Sequence, residues 1–132
     1  MSVNIAIDGP AGAGKSTIAK AVAKELEFIY VDTGAMYRAM ALHLLRQGIV
    51  PGEEAQMDAA CENAEISIVY ENGAQQVLLN GENVTGDLRR EEVGNMASVS
   101  SARPRIREKL VELQRVLASQ TDVVMDGRDI GT

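Results

Sequence analysis

Short apolar runs and amphipathic stretches follow one another along the chain, and each predicts an element. Val3 to Ile7 is a brief, β-branched, largely apolar run, which suits a strand buried on both faces. Gly9 to Gly14 is a glycine-rich loop. From Lys15 to Leu26 the apolar positions Ile18, Ala19, Val22, Ala23 and Leu26 form one stripe of a helix, with Lys20, Lys24 and Glu25 outside it. Phe28 to Val31 predicts a second strand. Ala35 to Gln47 predicts a second helix, with Met36, Met40 and Leu44 one turn apart and Gly48 as its C′ residue. Glu53 to Glu62 predicts a third, shorter helix.

The pattern then changes period. Ile66, Ile68 and Tyr70 alternate with other positions, and Asn72-Gly73 and Asn80-Gly81 bracket Val77 to Leu79. A small antiparallel meander is expected between Ile66 and Thr85. Arg89 to Val99 reads as helix. Pro104 suits the first turn of a long helix whose buried face is Ile106, Leu110, Leu113 and Leu117. Val123 to Met125 is a third apolar run, followed by Asp126-Gly127-Arg128-Asp129. Strand, glycine loop, helix, strand, helices, β insert, long helix and strand together predict an α/β fold. Its three core strands would be parallel and flanked by helices, with a small inserted antiparallel β subdomain.

Bulk composition narrows the function classes. With 45% apolar and 24% charged residues, a chain of 132 residues can bury a core. No run of apolar residues is long enough to span a bilayer. Net charge is −6 and aromatics are 3%, which argues against a nucleic-acid polymer as partner. A small anion remains possible, because it needs local N–H groups and arginines rather than a positive surface. Cys61 is the single cysteine, so no intrachain disulfide can form and a cytoplasmic setting is the default. Cys61 reads as a small packing residue rather than a reactive thiol, and the lone His43 as surface or packing.

Gly9-Pro10-Ala11-Gly12-Ala13-Gly14-Lys15-Ser16 fits G-x-x-x-x-G-K-[ST]. Glycines let successive backbone N–H groups turn inward onto phosphate oxygens, and the helix N-terminus adds its partial positive charge. Lys15 can reach β- and γ-phosphates, Ser16 can ligate Mg²⁺ with waters, and Thr17 completes the segment. A strand before and an amphipathic helix after make this a nucleoside-triphosphate cradle rather than a chance glycine turn. Asp8 could support the loop or simply cap the strand end. Gly14, Thr33 and Asp126 each lie at the carboxyl end of an expected strand, where open parallel sheets bind ligands. Arg38, about a turn past Thr33, could look back to that cleft or face solvent. The Asp126–Asp129 cluster could hold Mg²⁺ through water and clamp a phosphoryl group, or be a charged turn.

Taken in order, several segments resemble the bacterial cytidylate kinases. Ile5 to Thr17 is similar to their opening, and Asp32-Thr-Gly-Ala-Met-Tyr-Arg38 to the entry of their nucleotide helix. Asn83-Val-Thr-Gly-Asp-Leu-Arg89 is similar to the end of their β insert, and Val93-Gly-Asn-Met-Ala-Ser98 to the segment after it. Arg103-Pro-Arg-Ile-Arg107 and Asp126-Gly-Arg-Asp-Ile-Gly-Thr132 complete the likeness. The resemblance implies a P-loop NTPase-type core formed by residues 1–48 and 100–132, with 49–99 as the nucleoside monophosphate-binding insert. It implies ATP-dependent phosphorylation of CMP or dCMP with Mg²⁺, by a protein that is monomeric at full length. Arg38 and Arg128, helped by Thr33, would hold the acceptor phosphate, making Lys15, Arg38 and Arg128 the catalytic cations. Ser98, Arg107 and Asp129 would read cytosine. Chains of that family also continue into further strands, an arginine-bearing lid and an adenine-contacting loop, so the sequence is expected to be cut short after Thr132.

A phosphate monoester is mostly dianionic at pH 7, so the expected nucleophile needs no general base. Two other readings stay open on the residues alone. Another P-loop small-molecule kinase would act on a different nucleotide or on a metabolite hydroxyl, the latter with Asp126 or Asp129 as base, and a nucleotide-binding fragment would bind without turnover.

Overall fold

The computed structural model describes residues 3–7, 15–71 and 74–126. Along the chain these form β1 (Asn4–Ile7), α1 (Lys15–Leu26), β2 (Ile29–Val31), α2 (Thr33–Arg46) and α3 (Glu54–Ala60). There follow β3 (Ile66–Glu71), β4 (Ala74–Leu79), β5 (Glu82–Asn83), α4 (Glu91–Ser100), α5 (Pro104–Gln120) and β6 (Val123–Asp126), with 3₁₀ turns at Cys61–Asn63 and Thr85–Arg89. Two units result. One holds the described residues up to Asp32 and from Gln114, the other Thr33–Leu113.

In the first unit a parallel sheet runs in the order β1-β6-β2. Ile5 and Tyr30 both stand opposite Val124, in adjacent registers. These three residues therefore form one row on one face of the sheet, since alternate strand residues share a face. Ala19 and Ala23 of α1, both buried, lie against Tyr30 and Val124 in that core, with Ile5, Val22 and Phe28 packed around it. Val123 and Val124 are consecutive and fully buried, as the central strand of a sheet covered on both faces requires. The α1 stripe is narrower than its sequence suggests: Ile18 is 51% exposed and Leu26 44%. Ala19 and Ala23 are the α1 residues buried in the contact, and their small side chains let the helix backbone approach the sheet closely.

In the second unit α2 is central. Ala39 to Leu44 are buried without a break, so the helix is covered all round rather than along one stripe. It packs against α4 on one side and the β3-β4 hairpin on another. Ile66 pairs with Leu79 and Ile68 with Val77, and all four are buried on the face that meets the core. The β4-β5 turn has Asn80 at φ 51° and Gly81 at φ 86°, the double positive φ that a two-residue hairpin of right-handed twist needs. The end of α2 is equally specific. Gly48 takes φ 78°, its N–H meets Leu45 O at 3.0 Å, and Ile49 N–H meets Leu44 O at 3.1 Å. This is the Schellman closure, with buried Ile49 as its apolar partner.

His43 is only 3% exposed, and its Nε2 lies 3.0 Å from Ala60 O. A carbonyl only accepts, so Nε2 is the donor, and it satisfies a carbonyl left over at the end of α3. Cys61 is fully buried, in the 3₁₀ turn rather than in a helix, with its thiol donating to Asp58 O at 3.2 Å. Burial pushes that thiol's pKa up, which makes it less reactive than a free cysteine. Among the described residues no helix is long and apolar enough to cross a membrane.

Candidate functional site

The expected cradle falls at the join of β1 and α1. Gly9 to Gly14, and Asp8 before them, lie outside the described residues. Lys15, Ser16 and Thr17 form the first turn of α1. That turn contains no acidic residue. A helix N-terminus without a carboxylate keeps its partial positive charge available to an anion. At this end of α1 the residues of the first turn leave that partial charge uncancelled. Asp126 closes β6, and Arg128 and Asp129 lie outside the described residues.

The acceptor-side residues fall in the Thr33–Leu113 unit. Thr33 opens α2 immediately after β2, half-buried. Arg38 follows on the same helix and is exposed. Its Nη1 donates to Leu88 O at 2.9 Å, a carbonyl of the 3₁₀ turn at Thr85–Arg89. The guanidinium also lies against Gly94 of α4. A Cβ on Gly94 would stand 3.6 Å from Nη1, 3.8 Å from Nη2 and 3.9 Å from Cζ. Ser98, one turn further along α4, is exposed and its hydroxyl donates to Gly94 O at 3.2 Å. Gly94 thus has the Arg38 guanidinium beside its Cα and the Ser98 hydroxyl on its carbonyl. Arg107 is exposed on α5, and among the described residues no hydrogen bond or ion pair joins it to either.

The junction between α4 and α5 is tied down by charge. Arg103 donates to Asp58 from Nε at 3.1 Å and from Nη2 at 2.6 Å, and from Nη1 to Glu54 at 2.5 Å. This fork-on-carboxylate pairing holds the Asp58 carboxyl below the usual carboxylate range, chiefly through the Arg103 hydrogen bonds. Arg105 pairs with Glu62 in the same neighbourhood. These pairs join α3 and its following turn to the start of α5, the helix that carries Arg107. Leu88 and Gly94 carry no side-chain chemistry that a sequence could signal. The one-letter pattern around them was visible, but a backbone carbonyl and a missing side chain leave no functional group to notice.

The family profile described as "Cytidylate kinase" matches residues 5–132. A cytidylate kinase of Caldicellulosiruptor saccharolyticus is 52% identical over 130 residues, which are 98% of this chain and 58% of the relative. One of Desulfitobacterium hafniense is 52% identical over 131 residues, 99% of this chain and 56% of the relative. One of Halalkalibacterium halodurans is 47% identical over 130 residues, covering 98% and 59%. The chain therefore spans less than two thirds of the length of these curated relatives.

Proposed function

This chain belongs to the cytidylate kinase family, and we propose that it serves transfer of the γ-phosphate of ATP to CMP or dCMP, giving CDP or dCDP. The observation that carries the reading is the seating of the Arg38 guanidinium on Leu88 O and beside Gly94 of α4, the helix that also carries Ser98 one turn further on. In this reading Arg38 clasps the acceptor phosphate with Thr33 and Arg128, and Ser98 reads the cytosine with Arg107 and Asp129. Residues 49–99 act as the nucleoside monophosphate-binding insert. Cytosine presents an amino donor beside a ring acceptor, which a carboxylate or hydroxyl next to a cationic donor can match. Uracil inverts both of those groups, with a carbonyl for the amino donor and a ring N–H for the ring acceptor, and the mismatch would leave the reading groups unpaired.

On the donor side, residues Gly9–Thr17 hold the triphosphate, with Lys15 as its cation and Ser16, with waters, as the seat of Mg²⁺. That ion would neutralise charge on the phosphates. Because the acceptor oxygen is already anionic near neutrality, the residues position the groups and balance charge rather than remove a proton. A cytoplasmic, monomeric protein without a nucleic-acid partner belongs to the same proposal.

Calorimetric titration of the 132-residue chain with CMP, UMP and ATP, followed by an assay for ADP formation, tests it. CMP should bind more tightly than UMP. Lys15→Ala should weaken ATP and spare CMP, while Arg38→Met should do the reverse. Equal affinity for CMP and UMP, or a loss of both nucleotides in each variant, would refute the assignment of the two subsites. Binding of both nucleotides without ADP would restrict this chain to recognition.

A further inference from the structure

The segment N-V-T-G-D-L-R, residues 83–89, supplies no ligand group in that reaction, yet its polar groups are engaged one after another. Val84 N–H donates to Val77 O at 2.9 Å, continuing the ladder beyond the last β4-β5 pair. The next rung is made by a side chain: Val77 N–H donates to Thr85 Oγ1 at 2.8 Å. The same hydroxyl donates to Asn83 Oδ1 at 2.8 Å, and Asn83 Oδ1 also accepts Thr85 N–H at 3.1 Å. Asp87 N–H closes on Val84 O at 2.8 Å, and the turn ends on the buried side chain of Leu88. Pinned to β4 at its start and to the core at its end, the turn presents Leu88 O as a fixed acceptor. Arg38 Nη1 donates to that oxygen.

We propose that Thr85 is a positioning residue for the acceptor phosphate: its hydroxyl locks the turn whose Leu88 carbonyl aims the Arg38 guanidinium. The inference rests on the reading of Arg38 as a phosphate ligand. One of the five guanidinium N–H groups is used on the carbonyl, and Leu88 O is the only hydrogen-bond partner of that side chain among the described residues. Gly94 leaves the flank of the group without a Cβ, so the guanidinium lies along α4. An exposed arginine ordinarily surrenders side-chain freedom when it grips an anion. Here part of that ordering is already done by the fold before ligand arrives, which is how a remote hydroxyl can matter to affinity. The β insert then does more than enclose a nucleotide; it is the scaffold that orients a cation on α2.

The test uses Thr85→Val, Thr85→Ser and the milder surface change Asn83→Ala in the 132-residue chain. The readouts are the ¹⁵N–¹H signals of the Arg38 guanidinium and titrations with CMP and with cytidine, which lacks the phosphate. Thr85→Val should release the restricted guanidinium rotation and weaken CMP about fivefold, the scale of reordering one long side chain. Cytidine affinity should stay unchanged. Thr85→Ser should restore both values, and Asn83→Ala should shift them the same way by less, so the idea stays testable if the valine variant unfolds. An unaltered Arg38 signal in folded Thr85→Val or Asn83→Ala would overturn the inference, as would equal losses for CMP and cytidine. If wild type shows the restrained guanidinium but binds CMP no better than cytidine, Arg38 is not a phosphate ligand. The phosphate-clasp reading then fails, and Thr85 is left with a structural tie alone.

Discussion

Replacing Gly94 by alanine should stabilise the Thr33–Leu113 unit by about 0.5–1 kcal/mol. Gly94 lies inside α4, where glycine costs backbone entropy without needing a positive φ. The question is whether a methyl fits. Its Cβ would stand 3.6, 3.8 and 3.9 Å from Nη1, Nη2 and Cζ of Arg38, which is ordinary van der Waals contact. Three such contacts are each worth about 0.1–0.2 kcal/mol and do not oppose the helix term. For a domain of this size the gain corresponds to about 2–5 °C in Tm. The assay is thermal unfolding followed by circular dichroism, repeated by urea denaturation, with CMP titration alongside. Gly94→Val is the informative contrast. Its γ-carbons reach about 1.5 Å further along the same direction, into the space that the guanidinium occupies. Valine should therefore displace Arg38 from Leu88 O and weaken CMP, with no gain in Tm because a β-branched residue also loses χ1 freedom in a helix. A drop in Tm for Gly94→Ala, or a loss of CMP affinity equal to that of Gly94→Val, would refute this placing of Arg38 over Gly94.

Two further outcomes follow from buried and charged groups. Asp58 is held below its ordinary pKa by Arg103, so the folded state resists its protonation. Its contribution to stability is complete above the unfolded carboxylate value of about 4 and is lost as pH falls through the lower folded value. Asp58→Asn should therefore flatten the acid limb of a stability-versus-pH curve below about pH 4, and an unchanged limb would remove Asp58 from the account. His43→Phe keeps the ring but takes the donor from Ala60 O, and should lower the urea midpoint by the equivalent of about 1–2 kcal/mol with an unchanged m value; an unshifted midpoint would mean that water serves that carbonyl equally well.

Much of the fold could be read from local signals because those signals act locally. Asn80-Gly81 demands a two-residue turn, Gly48 demands a left-handed helix end, and both occur with positive φ. Alternation at Ile66 and Ile68 marks the buried face of the hairpin, whereas Tyr70, the third residue of that series, is 43% exposed. What failed to show were quantities set by neighbours. The α1 stripe extends from Ile18 to Leu26 in the sequence, but depth of burial depends on what stands opposite, and against Tyr30 and Val124 it is Ala19 and Ala23 that are buried, with Val22 partly so. Continuous burial of Ala39 to Leu44 depends likewise on two partners meeting α2 from different sides. The central place of β6 pairs residues such as Asn4 and Val123, and no local pattern carries that register.

The candidate site divides in the same way. Cations and hydroxyls in a motif announce themselves, as Lys15, Ser16 and Arg38 do, whereas Ser98 comes forward only through the family resemblance. Their preparation does not announce itself, because it is done by atoms that every residue shares or by the lack of one. Leu88 contributes its carbonyl and Gly94 its empty flank, 50 residues from Arg38 in the first case. Only Thr85 and Asn83 translate that preparation into side chains, and they do so through a strand-ladder hydrogen bond and a local turn that resemble ordinary β-hairpin chemistry. Conserving the charge of Arg38 while altering Thr85 therefore separates two properties that a sequence cannot distinguish: having the cation that the proposal assigns to the acceptor phosphate, and having it already aimed.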